Sequence, residues 1–294
     1  TMLSMGTTVA FELSKEIKEA FSEIPIVVLT PFSREVRLKI KQEKLDFIDY
    51  VFSWLGHAEL LLAVIKLIED GMNAEHDVLD VGVQTILLVE DNIRFYSAYL
   101  PIMYKIIFKQ SRAFMTEGLN EHKAMLRMRG RPKVLLATTY EEAIKLYSKY
   151  RENMLGIISD IRYSRNGKTD PEAGFRFFEE VRKQDKSMPF LLQSSEWENR
   201  ERAALQNISF IYKYSKKLSI ELRDYIFRHL AFGDFVFRTS DGQEITRAAD
   251  LQSLQRKIFR IPEDSLAFHF NRNDISRWLN ARALFPLAQL FKKL

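Results

Sequence analysis

Short apolar runs alternate with amphipathic segments through the middle of the chain, from about residue 83 to residue 232. Such runs, bounded by polar or turn residues, are typical of buried strands, and the segments between them have the apolar spacing of helices. The predicted strands lie at 85–89, 133–137, 156–160, 189–194 and 210–212. Five strands in strict alternation with five helices predict an α/β fold with a doubly wound, five-stranded parallel sheet.

Local signals set the ends of several of these elements. Thr139 and Glu142 have the spacing of a capping box, which predicts a helix start at Thr139. Asn166-Gly167 predicts a turn within the polar loop 162–169. Asp170, followed by a proline, is predicted to cap the next helix, and 196–206 is predicted to be a charged, exposed helix.

The first 70 residues repeat the second half of this pattern. Pro25–Thr30 matches Pro189–Ser194 in layout, 51–54 matches 210–213, and the helical segment 58–68 matches 220–232. This repeat predicts two homologous domains. The first copy, residues 1–70, lacks its opening strands, so we expect the chain to begin inside a domain; 71–82 would be a linker and 83–232 the full copy.

Residues 233–294 depart from the alternation and are expected to form a mainly helical C-terminal extension. A strand at 233–237 and a turn at 240–243 precede predicted helices at 248–259 and 274–294. The last helix has an apolar stripe formed by Ile275, Trp278, Leu279, Leu284, Leu287 and Phe291. We expect this stripe to pack inside the protein; a partner helix or a membrane surface is the alternative.

Composition narrows the class of protein. With 46% hydrophobic and 28% charged residues, the chain is an ordinary globular protein. It contains no cysteine, which excludes disulfides, thiolate zinc sites and cysteine nucleophiles. It has neither a spanning apolar run nor a secretory signal, so we expect a cytoplasmic protein without membrane contact.

The net charge of +5 includes a basic stretch from Lys123 to Lys133. We expect this stretch to be a solvated helix end and turn. Phosphate contact with a nucleic acid is the alternative, but the chain has no DNA-binding motif.

The residues that end the predicted strands carry the candidate chemistry. Glu90 and Asp91 follow the first strand, Asp160 ends the third, Ser194 ends the fourth and Lys213 follows the fifth. Because parallel strands bring their carboxyl ends to one edge of the sheet, we expect these side chains to converge. Three carboxylates, a hydroxyl and an ammonium can hold Mg²⁺ and accept a phosphoryl group.

In this order and at these strand ends, the residues resemble the response-regulator receiver domain. The resemblance covers 83–232, with 1–70 as a partial copy. It implies that Glu90, Asp91 and Asp160 bind Mg²⁺ and that Asp160 is the phosphoacceptor. It further implies that Lys213 pairs with the aspartyl phosphate and that Ser194 hydrogen-bonds a phosphoryl oxygen.

The resemblance also includes the family's switch residue, and the chain departs from the family's pattern at some positions. Phe210 falls on the family's switch aromatic. The loop 162–169 replaces the usual Met-Pro turn, and Tyr214 stands where a proline usually follows the lysine. In the first copy Thr30 keeps the hydroxyl, but Trp54 takes the place of the lysine, so this copy resembles a pseudo-receiver.

The resemblance implies a bacterial two-component signalling protein, phosphorylated by a sensor histidine kinase or a phosphotransfer protein and switching an attached or separate output module. Residues 233–294 resemble a segment that joins receivers to a phosphoenolpyruvate-synthase-like module, which suggests such an effector. Receivers often form homodimers through the surface that would include Tyr212 and Tyr214.

The alternative is a receiver-like scaffold or dimerisation module that is not phosphorylated. We do not expect this chain to be an enzyme, since a phosphatase with an aspartate nucleophile needs an acid two residues later, where Arg162 stands. His57 and His269 are minor candidates for a phosphohistidine.

Overall fold

The computed structural model describes residues 7–31, 47–54, 56–116 and 130–292. Its main sheet has five strands: β3 (Thr85–Val89), β4 (Lys133–Ala137), β5 (Met154–Asp160), β8 (Phe190–Ser194) and β9 (Ser209–Tyr212). Their order is β4-β3-β5-β8-β9, and every neighbouring pair is parallel. The predicted five-stranded parallel sheet in an α/β fold is therefore confirmed.

Five helices alternate with these strands and cover both faces of the sheet. They are α3 (Ile93–Thr116), α4 (Tyr140–Tyr150), α5 (Ala173–Gln184), α6 (Asn199–Leu205) and α7 (Leu218–His229). Ile86 and Leu88 of β3 pack into a core with α3 and α7, whereas Leu87 and Val89 pack into a core with α4, α5 and Ala203 of α6. Strands buried on both faces explain the continuous apolar runs of the sequence. We call this part of the chain, β3 to α7, the central unit.

Two of the predicted local signals hold and one does not. The Thr139 hydroxyl accepts a hydrogen bond from Glu142 N (3.2 Å), which confirms the predicted cap. The loop 162–169 forms a hairpin of β6 (Tyr163–Arg165) and β7 (Lys168–Asp170), with its turn at Asn166-Gly167. Asp170 ends this hairpin instead of capping α5, which begins at Ala173.

In the described part of the N-terminal unit, the elements are α1 (Thr7–Ala20), β1 (Val27–Thr30), β2 (Tyr50–Ser53) and α2 (Ala58–Ala74). β1 and β2 pair in parallel with Thr30 opposite Ser53, as Ser194 lies opposite Tyr212 in the central unit. Trp54 N donates to Thr30 O (2.8 Å), and Lys213 N donates to Ser194 O (2.9 Å). The two strand pairs thus share one backbone arrangement, as the sequence repeat requires; the domain boundaries stay a prediction.

The segment expected to be a linker is helical over most of its length. α2 continues to Ala74 and is followed by a π-helical turn, Glu75–Asp80. The segment 71–82 was expected to be a linker, but the helix continues through Gly71 and Asn73 because its buried face packs against α3 and β4.

Part of the basic stretch is buried, contrary to the expectation of a solvated turn. The Arg131 guanidinium bonds the fully buried Asp70 carboxylate (2.7 and 3.1 Å). Lys133 Nζ lies 2.6 Å from Asp77. These pairs join α2 to the start of β4, so the charges are neutralised within the protein. Lys123, Arg127 and Arg129 lie outside the described residues.

The C-terminal unit contains an antiparallel hairpin, β10 (Phe235–Arg238) and β11 (Glu244–Ala248), and four helices. The helices are α8 (Leu251–Ile258), α9 (Glu263–Asn271), α10 (Asp274–Ala281) and α11 (Phe285–Leu290). Helices thus make up much of this unit, but the helix predicted at 274–294 is divided near Ala283, which has a positive φ of 54°. The strand β11 and the helix α9 were not predicted.

The apolar stripe of this unit lies in its core, as expected. Trp278 and Leu279 are buried with Phe235 and Phe237. His269 is also buried: its Nε2 accepts from Arg238 N (2.9 Å), and its Nδ1 lies 2.8 Å from the Asp274 carboxylate. These bonds give His269 a structural role. In the described part of the chain, no helix combines the length and the apolar character needed to cross a membrane.

Candidate functional site

Three carboxylates meet at the carboxyl edge of the main sheet. Glu90 and Asp91 directly follow β3, and Asp160 is the last residue of the adjacent strand β5. Oxygen atoms of all three lie within 4.8 Å of one another. Glu90 and Asp160 are buried and Asp91 is exposed, so the group has an interior floor and one side open to solvent.

Lys213 reaches into this group from the first position after β9. Its Nζ lies 2.5 Å from Glu90 Oε2 and 2.7 Å from Asp160 Oδ2, and only 2% of its side chain is exposed. The Phe95 ring, near the start of α3, lies 4.3 Å from the ammonium, a distance suited to a cation–π contact. Lys213 therefore bridges the two buried acids from across the sheet.

The electrostatics of the group are dominated by burial. Burial raises the pKa of Glu90 to about 8; the Asp160 carboxylate adds to the rise, and Lys213 opposes it. Burial likewise raises the pKa of Asp160, again against Lys213. Burial by itself would lower the pKa of Lys213, but the two carboxylates outweigh it and raise that pKa.

Three carboxylates face one ammonium, so the site has an excess of negative charge when its acids are ionised. Hard carboxylate oxygens are the ligands that Mg²⁺ prefers, and Mg²⁺ usually takes a few of them and keeps several waters. The exposed side at Asp91 leaves room for such waters. The residues present therefore fit a divalent cation of this kind.

Backbone and amide groups fix the two buried acids. Glu90 Oε1 accepts from Asn92 N (3.1 Å), and Glu90 Oε2 accepts from the Gln193 side-chain amide (3.3 Å). Asp160 Oδ1 accepts from Ile161 N (2.7 Å), which leaves Oδ2 as the oxygen that faces Lys213. Sequence reasoning missed Gln193, although it is the one amide in the apolar run of β8.

The helix that follows the hairpin begins close against Asp160. A Cβ added at Gly174 would lie 2.2 Å from Asp160 O, and Gly174 N donates to Ile161 O (2.9 Å). Only glycine allows this approach. Gly174 therefore positions the end of β5, a role that its place in the sequence did not reveal.

Ser194 and Phe210 occupy the neighbouring strands. The Ser194 hydroxyl accepts from Glu196 N (3.0 Å) and from the Asn199 side-chain amide (3.1 Å), so it is held by its own loop. Phe210 is half-buried beside the core formed with α4 and α5. The predicted residues thus lie on adjacent strands, but only Lys213 contacts the buried acids directly.

An aromatic row connects the site to the surface, and sequence reasoning did not foresee it. Phe95 packs against Tyr214 (ring centroids 5.7 Å apart), Tyr214 against Tyr212 (5.8 Å), and Tyr212 against Trp197 (5.4 Å). Trp197 follows Ser194 by three residues and is 52% exposed. The row therefore links the lysine end of the site to the loop that carries Ser194.

No protein-family model matches the chain, and neither a curated protein nor a solved structure does. The site is therefore interpreted from its own residues and geometry.

Proposed function

We propose that the chain is a two-component receiver that accepts a phosphoryl group on Asp160. The observation that carries the proposal is the position of Lys213, whose ammonium bridges the buried Glu90 and Asp160 carboxylates beside Asp91. A lysine ammonium this close to a carboxylate can hydrogen-bond a phosphoryl oxygen once that carboxylate is phosphorylated.

Glu90, Asp91 and Asp160 would hold the Mg²⁺ ion. When bound, this cation offsets the repulsion between the carboxylates and the incoming phosphoryl oxygens. Because Asp160 has one oxygen fixed by Ile161 N, its Oδ2 is the oxygen that would attack phosphorus.

In the transfer step, Asp160 Oδ2 forms a bond to phosphorus while the bond between phosphorus and the donor breaks and the donor leaves with that electron pair. Lys213 then moves its hydrogen bond from the carboxylate to a phosphoryl oxygen. The Ser194 hydroxyl, released from Glu196 N, donates to another. This movement would shift the loop of Trp197, which follows Ser194.

The phosphodonor would be the phosphohistidine of a sensor histidine kinase or a phosphotransfer protein, since a phosphohistidine transfers readily to a carboxylate. The output would be an attached module, such as the phosphoenolpyruvate-synthase-like effector suggested by residues 233–294, or a separate partner. The chain would act as a switch and not as an enzyme.

One observation favours a second function, a scaffold that is never phosphorylated. Lys213 pairs with both buried acids, so the protein's own side chains partly neutralise one another at this edge. Such an internally paired group could serve as a structural element of a module for association alone.

The test is phosphorylation of the purified chain by acetyl phosphate and Mg²⁺, followed by intact mass. We expect a gain of one phosphoryl group, with acetate as the leaving group. Asp160→Asn should lose it, while Asp224→Asn, which removes a carboxylate on α7 paired with Arg223, should keep it. No gain in the folded wild-type chain at saturating donor and Mg²⁺ would overturn the proposal and favour the scaffold.

A further inference from the structure

A cavity lies between the N-terminal unit, at the carboxyl end of β2, and α3 of the central unit. It lies beside Ser53 and Trp54, where β2 ends, and extends along α3. Its volume is about 450 Å³, within the range of small-molecule sites. Ligands of open α/β sheets bind at this edge, outside the carboxyl ends of the strands.

The floor and walls of the cavity are largely apolar. Trp54 is half-buried, and its indole N–H donates to His57 O (3.1 Å), so the polar atom is already satisfied and the ring surface remains for a ligand. Leu60, Pro101 and Ile102 complete the walls. Such a surface suits a flat apolar group, which gains free energy by leaving water and by stacking on the indole.

The rim carries more positive than negative charge. Arg94 and Lys105 line the cavity against one carboxylate, Glu59. Both cations are exposed residues of α3, with Ala98 between them. Eleven residues of helix place them about 16 Å apart along the axis, on nearly the same face. Long basic side chains at both ends of an apolar trough favour an elongated anion.

We propose that this cavity binds a small organic anion whose flat apolar part lies on Trp54 and whose acidic group pairs with one of the two cations at the rim, Arg94 or Lys105. In the N-terminal unit, Trp54 stands where the central site has its lysine. A side chain suited to pairing with phosphate is thus replaced by one that can stack on an aromatic ring. The two sites share α3, because Arg94 precedes the Phe95 that contacts Lys213.

The probe is 1-anilinonaphthalene-8-sulfonate, a flat aromatic anion, measured by titration calorimetry and fluorescence. We expect one saturable site per chain. Its single sulfonate pairs with the cation at one end of the trough, so one of the variants Arg94→Gln and Lys105→Gln should weaken binding about tenfold, and the double variant should weaken it at least as much. Ala98→Trp, an exposed helix position that lines the cavity, should fill the trough and abolish binding.

Matched controls separate this site from general surface binding. Lys109→Gln removes an exposed lysine one turn beyond Lys105, outside the cavity lining, and should leave the affinity unchanged. The binding measurement needs neither Mg²⁺ nor a phosphodonor, so a failure of phosphorylation leaves this test intact. Circular dichroism checks that each variant is folded.

Two results would overturn the inference. One is unchanged affinity in Ala98→Trp, which would place the probe elsewhere. The other is equal binding of the uncharged analogue N-phenyl-1-naphthylamine, with no effect of either glutamine variant, which would leave an apolar groove without selectivity for anions.

Discussion

Replacing Lys213 with methionine would remove the ammonium from between two buried carboxylates. Methionine retains most of the apolar stem, so the change isolates the charge. Glu90 is fully buried and Asp160 is 7% exposed, and the two would face each other without a counter-ion. The Phe95 ring would also lose its cation.

The expected loss is large for a single substitution. Removing one partner of a buried ion pair costs about 3–5 kcal/mol of unfolding free energy. Taking about 4 kcal/mol and about 2 °C per kcal/mol for a chain of this size, the melting temperature should fall by about 8 °C. This value applies where Glu90 of the variant is ionised, at a pH above its own raised pKa and without Mg²⁺.

The loss should depend on pH with a definite sign. Burial and Asp160 raise the pKa of Glu90 to about 8 even with Lys213 present, and removing the lysine raises it further. A carboxyl whose pKa is raised by folding contributes stability at low pH that is lost as the pH rises through the folded-state pKa. At about pH 6 Glu90 would hold a proton, the repulsion would cease, and the loss should shrink to about 1–2 kcal/mol.

The assay is thermal unfolding followed by circular dichroism from about pH 6 to about pH 10, with and without millimolar Mg²⁺. The extra loss in the variant should begin near pH 8, where Glu90 of the wild-type chain ionises, and should grow as the pH rises. The matched control is Lys133→Met, which removes an equally buried lysine paired with Asp77 (2.6 Å) and Asp70 (3.8 Å). Mg²⁺ should restore Lys213→Met much more than Lys133→Met. Equal effects of Mg²⁺ and of pH on the two variants would refute the reasoning.

Two further predictions concern the cation and the acceptor strand. In the wild-type chain, Mg²⁺ affinity should rise from about pH 6 to about pH 9 with proton release, because a cation displaces the proton that the raised pKa of Glu90 retains; calorimetry in buffers of different ionisation heat measures this, and a flat profile would contradict it. Gly174→Ala should cost about 1–3 kcal/mol in chemical denaturation and slow phosphorylation, because its Cβ would meet Asp160 O at 2.2 Å. Gly71→Ala, whose nearest contact is Tyr50 Oη at 4.0 Å, should be neutral or stabilising; equal losses in both would exclude the steric explanation.

The sequence was sufficient to predict the five strands of the main sheet and the residues at their carboxyl ends. Each strand is buried on both faces, so its apolar run is continuous, and the first polar residue after it marks the carboxyl edge. Glu90, Asp160 and Lys213 were found in this way. Their mutual contacts follow from strand order, which the alternation with helices restricts to a few topologies.

Features that depend on packing between distant segments could not be predicted. Arg131 and Lys133 form part of a basic stretch, and nothing local shows that α2 brings Asp70 and Asp77 against them. Asp170 stands before a proline, which is typical of a helix cap, but in the structure Asp170 pairs with β6 as the last residue of β7. The aromatic row through Phe95 joins residues from three elements that share no periodicity.

The arrangement of the units bears on where phosphorylation of Asp160 would have its effect. The C-terminal unit contacts the opposite end of the sheet: Arg277 bonds Asp185 (2.7 Å) and Ser187, just before β8. From Ser187 to Ser194 the chain spans seven residues, about 20 Å of extended strand.

A phosphoryl group on Asp160 would thus lie a full strand length from the C-terminal unit but directly beside the loop of Ser194. That loop leads within three residues to Trp197, which is 52% exposed, and the aromatic row continues to Tyr214, which is 63% exposed. A change at Asp160 can therefore alter this surface without passing through the sheet. The geometry favours the α6–β9 surface, and not the C-terminal unit, as the place where a partner would detect phosphorylation.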